Sequence, residues 1–176
     1  QAEDLGMGRN EFFSRDKREA YISQMDKDFS LVMIMEYFDE SLLLLKRQLC
    51  WEIKDVLYIP KNTNKHKPYR NFTSEDYLRH RKMSHLDYSL YIHYERIFQD
   101  KLKSLGEEFH QELKHFKTLL EQVKHSCLTK TSFYVAQTRW HDTFDITEQD
   151  CDLMLVSELA GLDYLFARAG RVIREK

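Results

Sequence analysis

Residues 28–51 read DFSLVMIMEYFDESLLLLKRQLCW. Phe29 to Met35 is almost wholly apolar, and three carboxylates follow within five positions, at Glu36, Asp39 and Glu40. A leucine run comes next. An apolar run without alternation is how a strand covered on both faces reads, as in a parallel sheet. Asp39 is placed to cap the following helix, because its carboxylate accepts from unpaired backbone N–H groups at the positive end of the helix dipole. Ser41 to Cys50 then gives about three turns. Asp55 to Pro60, DVLYIP, is a second apolar run rich in β-formers. Strand, crossover helix and strand predict a right-handed βαβ-like unit within residues 1–60.

The same reading selects one acid as a ligand contact. At the carboxyl end of a parallel strand, polar side chains face the crevice where open α/β sheets bind ligands. Glu36 ends the apolar run and is the best placed of the three to point there. The competing reading has Glu36 bonding backbone N–H groups of the turn, with Asp39 and Glu40 only stabilising the helix start.

Outward from this stretch, residues 16–25 predict a helix. Residues 61–85 read as a basic loop. Its stretch from Lys61 to Lys82 holds seven Lys and Arg against Glu75 and Asp76, a net of +5, with a short helical piece near Thr73 to His80. It is either a solvated connector or an anion-facing lid. From Asp87 to His125 there is no proline, Gly106 is the only breaker, and apolar residues recur mostly at threes and fours. This predicts one long amphipathic helix, or two joined near Gly106. Residues 127–146 show no period and read as loop. Thr147 with Asp150 three residues on is a capping signal for a last helix, Glu148 to about Arg174. Residues 86–176 are therefore a mainly helical region.

The 176-residue chain predicts one domain. Hydrophobic residues at 42 % and aromatics at 13 % suffice for a core, and a net charge of −2 gives no global basic field, so nucleic acid is not an expected partner. No apolar run is long enough to span a bilayer. Cys50, Cys127 and Cys151 allow one bridge and one free thiol, and they lack the spacing of a zinc site, so no metal is expected. The only sequon places a glycosylation acceptor at Asn71. The five glycines form neither GxxxxGK(S/T) nor GxGxxG. The first residue, Gln1, is not an initiator methionine, so further sequence is expected upstream.

The opening stretch also resembles a known family. EYFDESL at 36–42, the leucine-rich helix, LCW at 49–51 and DVLY at 55–58 resemble a block of the galactose 3-O-sulfotransferases, galactosylceramide sulfotransferase among them. Leu86-Asp87 with Leu90-Tyr91 and His93-Tyr94 resembles the family's L-D-x-x-L-Y-x-H-F/Y segment. Cys151, Met154, Leu155 and Glu158 resemble its last helix. The resemblance implies an α/β fold: part of a P-loop-type sulfotransferase sandwich, with short parallel strands and a crossover helix, followed by the helical half. It implies transfer of a sulfo group from the donor substrate 3′-phosphoadenosine 5′-phosphosulfate to the 3-hydroxyl of a terminal galactose on a glycolipid or glycan. It implies a Golgi enzyme, lumenal, held by an N-terminal membrane anchor that these residues do not include. Glu36, Lys130 and Arg70 are the expected contacts in the donor or acceptor cleft. The phosphosulfate loop and the catalytic base are expected upstream of residue 1, so the chain alone is expected to be inactive. The alternative is a non-catalytic, truncated helical interaction protein built on the Asp87–His125 helix.

Overall fold

A computed structural model describes residues 5–6, 14–61 and 72–168. The described residues are mostly helical, with one two-stranded antiparallel sheet. They fall into two compact units, Gln1–Leu45 with Asn64–His110, and Lys46–Thr63 with Gln111–Lys176.

The first unit begins with α1, Arg15–Asp28, capped by the Ser14 side chain. The apolar run that follows is not a strand. Residues 29–34 have no ladder partner, a 3₁₀ turn occupies Met35–Tyr37, and α2 starts at once, Phe38–Leu49. The run is also not covered on two faces. Phe29 is 45 % exposed, Met33 37 % and Met35 75 %, while Ile34 is buried at 4 %. A side chain stands in for the missing ladder. The Ser41 hydroxyl, fully buried, accepts from the Ile34 N–H at 3.1 Å and donates to the Ile34 carbonyl at 3.2 Å. One residue of α2 thus satisfies both backbone groups of the one deeply buried residue in the run. Asp39 is not the N-cap. It lies inside the first turn with Glu40, where a carboxylate still favours the dipole.

Helix α3, Ser74–Met83, opens on a Thr73–Asp76 capping box, close to the expected helical piece. Helix α4 is the predicted long helix, His85–Thr129, and its break falls at Gly106, with φ 67° and ψ −163°. A Cβ there would meet nothing within 4 Å, so the backbone angle rather than space calls for glycine. The core of this unit joins Met25, Ile34, Leu43, Leu44, Leu90 and Phe98. Tyr37 stacks on Phe98 with centroids 5.8 Å apart.

In the second unit the expected strand Asp55–Pro60 is also absent. Ile53–Val56 is a 3₁₀ turn held by a capping box, in which Asp55 accepts from the Glu52 N–H at 2.8 Å. The two strands needed for a βαβ unit are therefore both missing from 29–60. The sheet lies instead within residues expected to be loop. β1, Phe133–Val135, pairs with β2, Phe144–Ile146, and Phe133 faces Ile146. Three-residue strands are too short to show a period. Thr147 and Asp150 form the expected capping box, but the helix they open, α5, stops at Leu155. Val156 is extended, its carbonyl accepts from the Lys61 ammonium, and Ser157 starts α6, Glu158–Arg168. The remainder of the expected last helix, 169–174, lies outside the described residues.

Cys127 and Cys151 form a disulfide that ties the end of α4 to α5, and Cys50 is a free, exposed thiol. Two helix ends close in the same way. Cys50, with φ 54°, and Lys130, with φ 52°, each take the left-handed conformation just past a helix. The next N–H then reaches back, Trp51 to the Lys46 carbonyl and Thr131 to the Ser126 carbonyl, each at 3.0 Å.

Candidate functional site

In the first unit, Glu36 stands where two clefts meet. One cleft, of about 490 Å³, is lined by Glu36, His80, Ser84, Asp87, Tyr88 and Tyr91. The other, of about 290 Å³, is apolar, with Met25, Val32, Ile34, Met35 and Leu90 in its wall, and shares Glu36 and Tyr91 with the first. The 3₁₀ turn places Glu36 at the end of the extended run, exposed, and Tyr91 comes to it from α4. Burial first, then the charges of Glu36 and Glu95, push the Tyr91 hydroxyl above its ordinary pKa. Tyr91 therefore stays protonated at neutral pH, beside the Glu36 carboxylate. An exposed carboxylate so placed keeps its acceptor sites for a ligand.

Helical spacing builds the opposite wall. Leu86, Leu90 and Tyr94 recur every four residues of α4 and are buried at 2 %, 7 % and 7 %. Asp87 and Tyr91 also stand four apart and share a face, so while one stripe fills the core the other lines the cleft. The last turn of α3 adds His80, whose Nδ1 lies 3.2 Å from the Tyr88 hydroxyl. His93, one step round α4, turns to α1, where its Nε2 pairs with Asp26 at 2.9 Å. The Tyr94 hydroxyl, raised to about 12 by burial first and by Asp26 second, is locked in the protonated state.

The expected site residues are thus distributed unequally. Glu36 sits in a cleft with polar companions. Lys130 belongs to the other unit, exposed, and its backbone closes α4. Arg70 and Asn71 lie outside the described residues. His80, Ser84, Asp87, Tyr88 and Tyr91 were missed by the sequence reading. The available signal was the pair Asp87 and Tyr91 at i, i+4 beside a buried Leu86–Leu90 pair.

The second unit holds polar clusters of another kind. Glu112, 2 % exposed, accepts from the Lys46 ammonium at 3.1 Å and from Arg47 Nε at 3.0 Å. His115 and His141 meet Nε2 to Nε2 at 2.8 Å, and His141 Nδ1 donates to the Asp142 carbonyl at 2.7 Å. With the proton of His141 on Nδ1, its Nε2 accepts from His115. Burial first, and the nearby His141 second, lower the His115 pKa against the pull of Glu112, so His115 is neutral at pH 7. Trp140 stacks on His115 with centroids 4.8 Å apart, and Arg139 covers the Trp140 ring at 4.4 Å. Among the described residues no group of three or more His, Cys, Asp or Glu is arranged to hold a metal ion. Among them, too, no helix is long and apolar enough to cross a membrane.

Comparison with known proteins agrees with the earlier resemblance. A family model described as galactose-3-O-sulfotransferase matches residues 2–144, which include every residue of the Glu36 cleft. The chain is similar to galactosylceramide sulfotransferase of Mus musculus, 32 % identical over 126 residues, covering 71 % of this chain and 30 % of the relative. It is similar to the Homo sapiens galactosylceramide sulfotransferase, 38 % identical over 105 residues, covering 60 % of this chain and 25 % of the relative. It is also similar to galactose-3-O-sulfotransferase 3 of Mus musculus, 41 % identical over 110 residues, covering 60 % and 25 %. The chain thus spans under a third of the length of these relatives. No solved structure matches.

Proposed function

The chain belongs to the galactose-3-O-sulfotransferase family, and from that premise we propose that its Glu36 cleft receives the terminal galactose of an acceptor for sulfo transfer. The reaction forms a bond between the galactose 3-oxygen and sulfur. It breaks the bond between sulfur and the 5′-phosphate oxygen of 3′-phosphoadenosine 5′-phosphosulfate, and the hydroxyl proton passes to a base. In-line transfer of this kind depends on positioning the acceptor hydroxyl and on charge stabilisation at the leaving phosphate. The single observation that carries the reading is Glu36 itself. It is an exposed carboxylate that lines two clefts, both shared with Tyr91, and one shared with Asp87, Tyr88 and His80. Such carboxylates and phenols match the hydroxyls of a sugar, which both donate and accept.

The donor side is assigned to cations. Lys130 and Arg70 would meet phosphate as point charge and fork respectively. No metal takes part in this reading. Residues 1–176 are read as part of one sulfotransferase domain of the P-loop type, with the donor loop outside the described residues. The Cys127–Cys151 bridge supports an oxidising compartment, which suits the lumenal face of the Golgi membrane. There Asn71 would carry a glycan.

The test is sulfo transfer to a galactose-terminated acceptor by the full-length protein with Glu36→Ala. Turnover is expected to fall by about 10²-fold or more, in the range seen when a positioned polar group is lost. Wild-type turnover in a folded variant would remove Glu36 from the site.

A further inference from the structure

On the far side of His80 and Tyr88 the Glu36 cleft continues into another, of about 460 Å³, lined by Phe72, Asp76, Tyr77, Arg79 and Met83 together with the same His80 and Tyr88. We propose that this second cleft is a sugar subsite for the residue glycosidically linked to the galactose, so that the acceptor is an oligosaccharide and α3 reads its penultimate ring. The proposal rests on the acceptor reading of the Glu36 cleft.

Three observations carry it. The first is continuity. His80 and Tyr88 line both clefts and meet at 3.2 Å, so the two clefts adjoin at this pair. The second is the character of the walls. Phe72 is 61 % exposed and Tyr77 is 60 % exposed, and their rings tilt by 60° at 5.8 Å rather than stacking. Each therefore keeps open face for an apolar partner. The C–H face of a pyranose is such a partner. The third is charge. Asp76, Arg79 and His80 border the rings. One Asp76 oxygen is used by the Thr73 cap, with the N–H at 3.0 Å and the hydroxyl at 2.8 Å. The Arg79 guanidinium holds Glu75 only loosely, at 3.3 Å and in solvent. Sugar hydroxyls replace the water around such groups. A lipid chain laid along them would strip that water and offer nothing in return.

Saturation-transfer NMR on the wild-type protein tests the subsite with three probes, methyl β-galactoside, lactose and octyl β-galactoside. Lactose is expected to bind about tenfold tighter than methyl β-galactoside, the gain of one good aromatic contact. Tyr77→Ala removes that gain and leaves methyl β-galactoside unchanged. Phe72→Ala is the second variant, should the first alter the circular dichroism melt. Equal binding of lactose and methyl β-galactoside, or a gain that survives both variants, overturns the subsite alone. Octyl β-galactoside binding tighter than lactose, with no dependence on Tyr77, moves the aglycone to the apolar cleft of Met25 and Leu90. Loss of the Tyr77-dependent gain on adding adenosine 3′,5′-bisphosphate gives the second cleft to the donor. No binding of any galactoside overturns the acceptor reading itself, and the subsite with it.

Discussion

Glu36, beside Tyr91 of α4, and Glu112, on α4 itself, are both carboxylates, and they do opposite things. Glu112 is buried and answered by two cations, Lys46 with 12 % and Arg47 with 36 % of its side chain exposed. Glu36 is exposed and answered by a neutral phenol. A buried charge is tolerated only when the protein supplies its partners, and that use leaves nothing for a ligand. An exposed acid beside a cleft keeps its acceptor capacity. The contrast extends to the two units that hold them. The second is braced by a disulfide, a buried ion cluster and a stacked His–Trp–Arg column. The first carries clefts that share wall residues, Glu36 and Tyr91 between one pair and His80 and Tyr88 between another.

Removing the Glu112 charge should hurt most. Glu112→Ala leaves Lys46 buried without a counter-charge, and breaking such a cluster costs about 3 kcal/mol or somewhat more, moderated by the exposure of Arg47. Urea unfolding reads this directly. A loss below about 1 kcal/mol would mean that the two cations turn outward to water, and the contrast with Glu36 would weaken.

The disulfide comes next. Cys151→Ser opens a loop in which the bonded cysteines are 24 residues apart, and loss of that constraint costs about 3 kcal/mol on the chain-entropy account. The comparison sharpens if hydrogen exchange quickens in β1, β2 and α5 while the Leu86–Leu90 stripe of α4 keeps its protection.

How much of this was legible depends on the kind of signal. Patterns confined to one helix came through. The period of α4, its break at Gly106, the helical piece from near Thr73 and the capping box at Thr147 need only neighbours a turn away. The strands at 29–35 and 55–60 failed for a shared reason. An apolar run states that something is buried, but not that a neighbouring strand exists to pair with it. At 29–35 one serine on α2 took the ladder's role, and at 55–60 Asp55 was spent on a capping box. Glu36 was selected through the premise of a parallel strand; that strand is absent, and Glu36 lines two clefts from a 3₁₀ turn instead. The rest of the wall was not legible, because His80, Tyr88 and Tyr91 converge only once α3 and α4 are placed. The break before α6 was missed because Lys61, distant in sequence, takes the Val156 carbonyl.

Lys130 separates backbone from charge. Its left-handed backbone closes α4 and costs a non-glycine residue about 1 kcal/mol. Lys130→Gly is therefore expected to stabilise the protein by about 1 kcal/mol in thermal unfolding. Lys130→Gln keeps the strain and should leave stability nearly unchanged. If the ammonium meets the donor phosphate, both variants lose donor affinity alike. Activity that follows stability instead, rising with glycine and flat with glutamine, would return Lys130 to a purely structural role.

The smallest expected stability change is the most informative. Glu36→Ala removes an exposed side chain, so unfolding should move by no more than about 0.5 kcal/mol. Tyr91 itself should respond. Without the neighbouring carboxylate, its phenol loses a cause of its raised pKa and should ionise at lower pH in a spectrophotometric titration, although burial, the larger cause, remains. A scaffold acid would behave like Glu112, with stability and activity falling together. An acid kept for a ligand shows unchanged unfolding, a shifted Tyr91 and lost transfer. If Glu36→Ala instead unfolds as readily as Glu112→Ala, the turn at Met35–Tyr37 depends on that carboxylate, and the acceptor must be sought along another wall of the cleft.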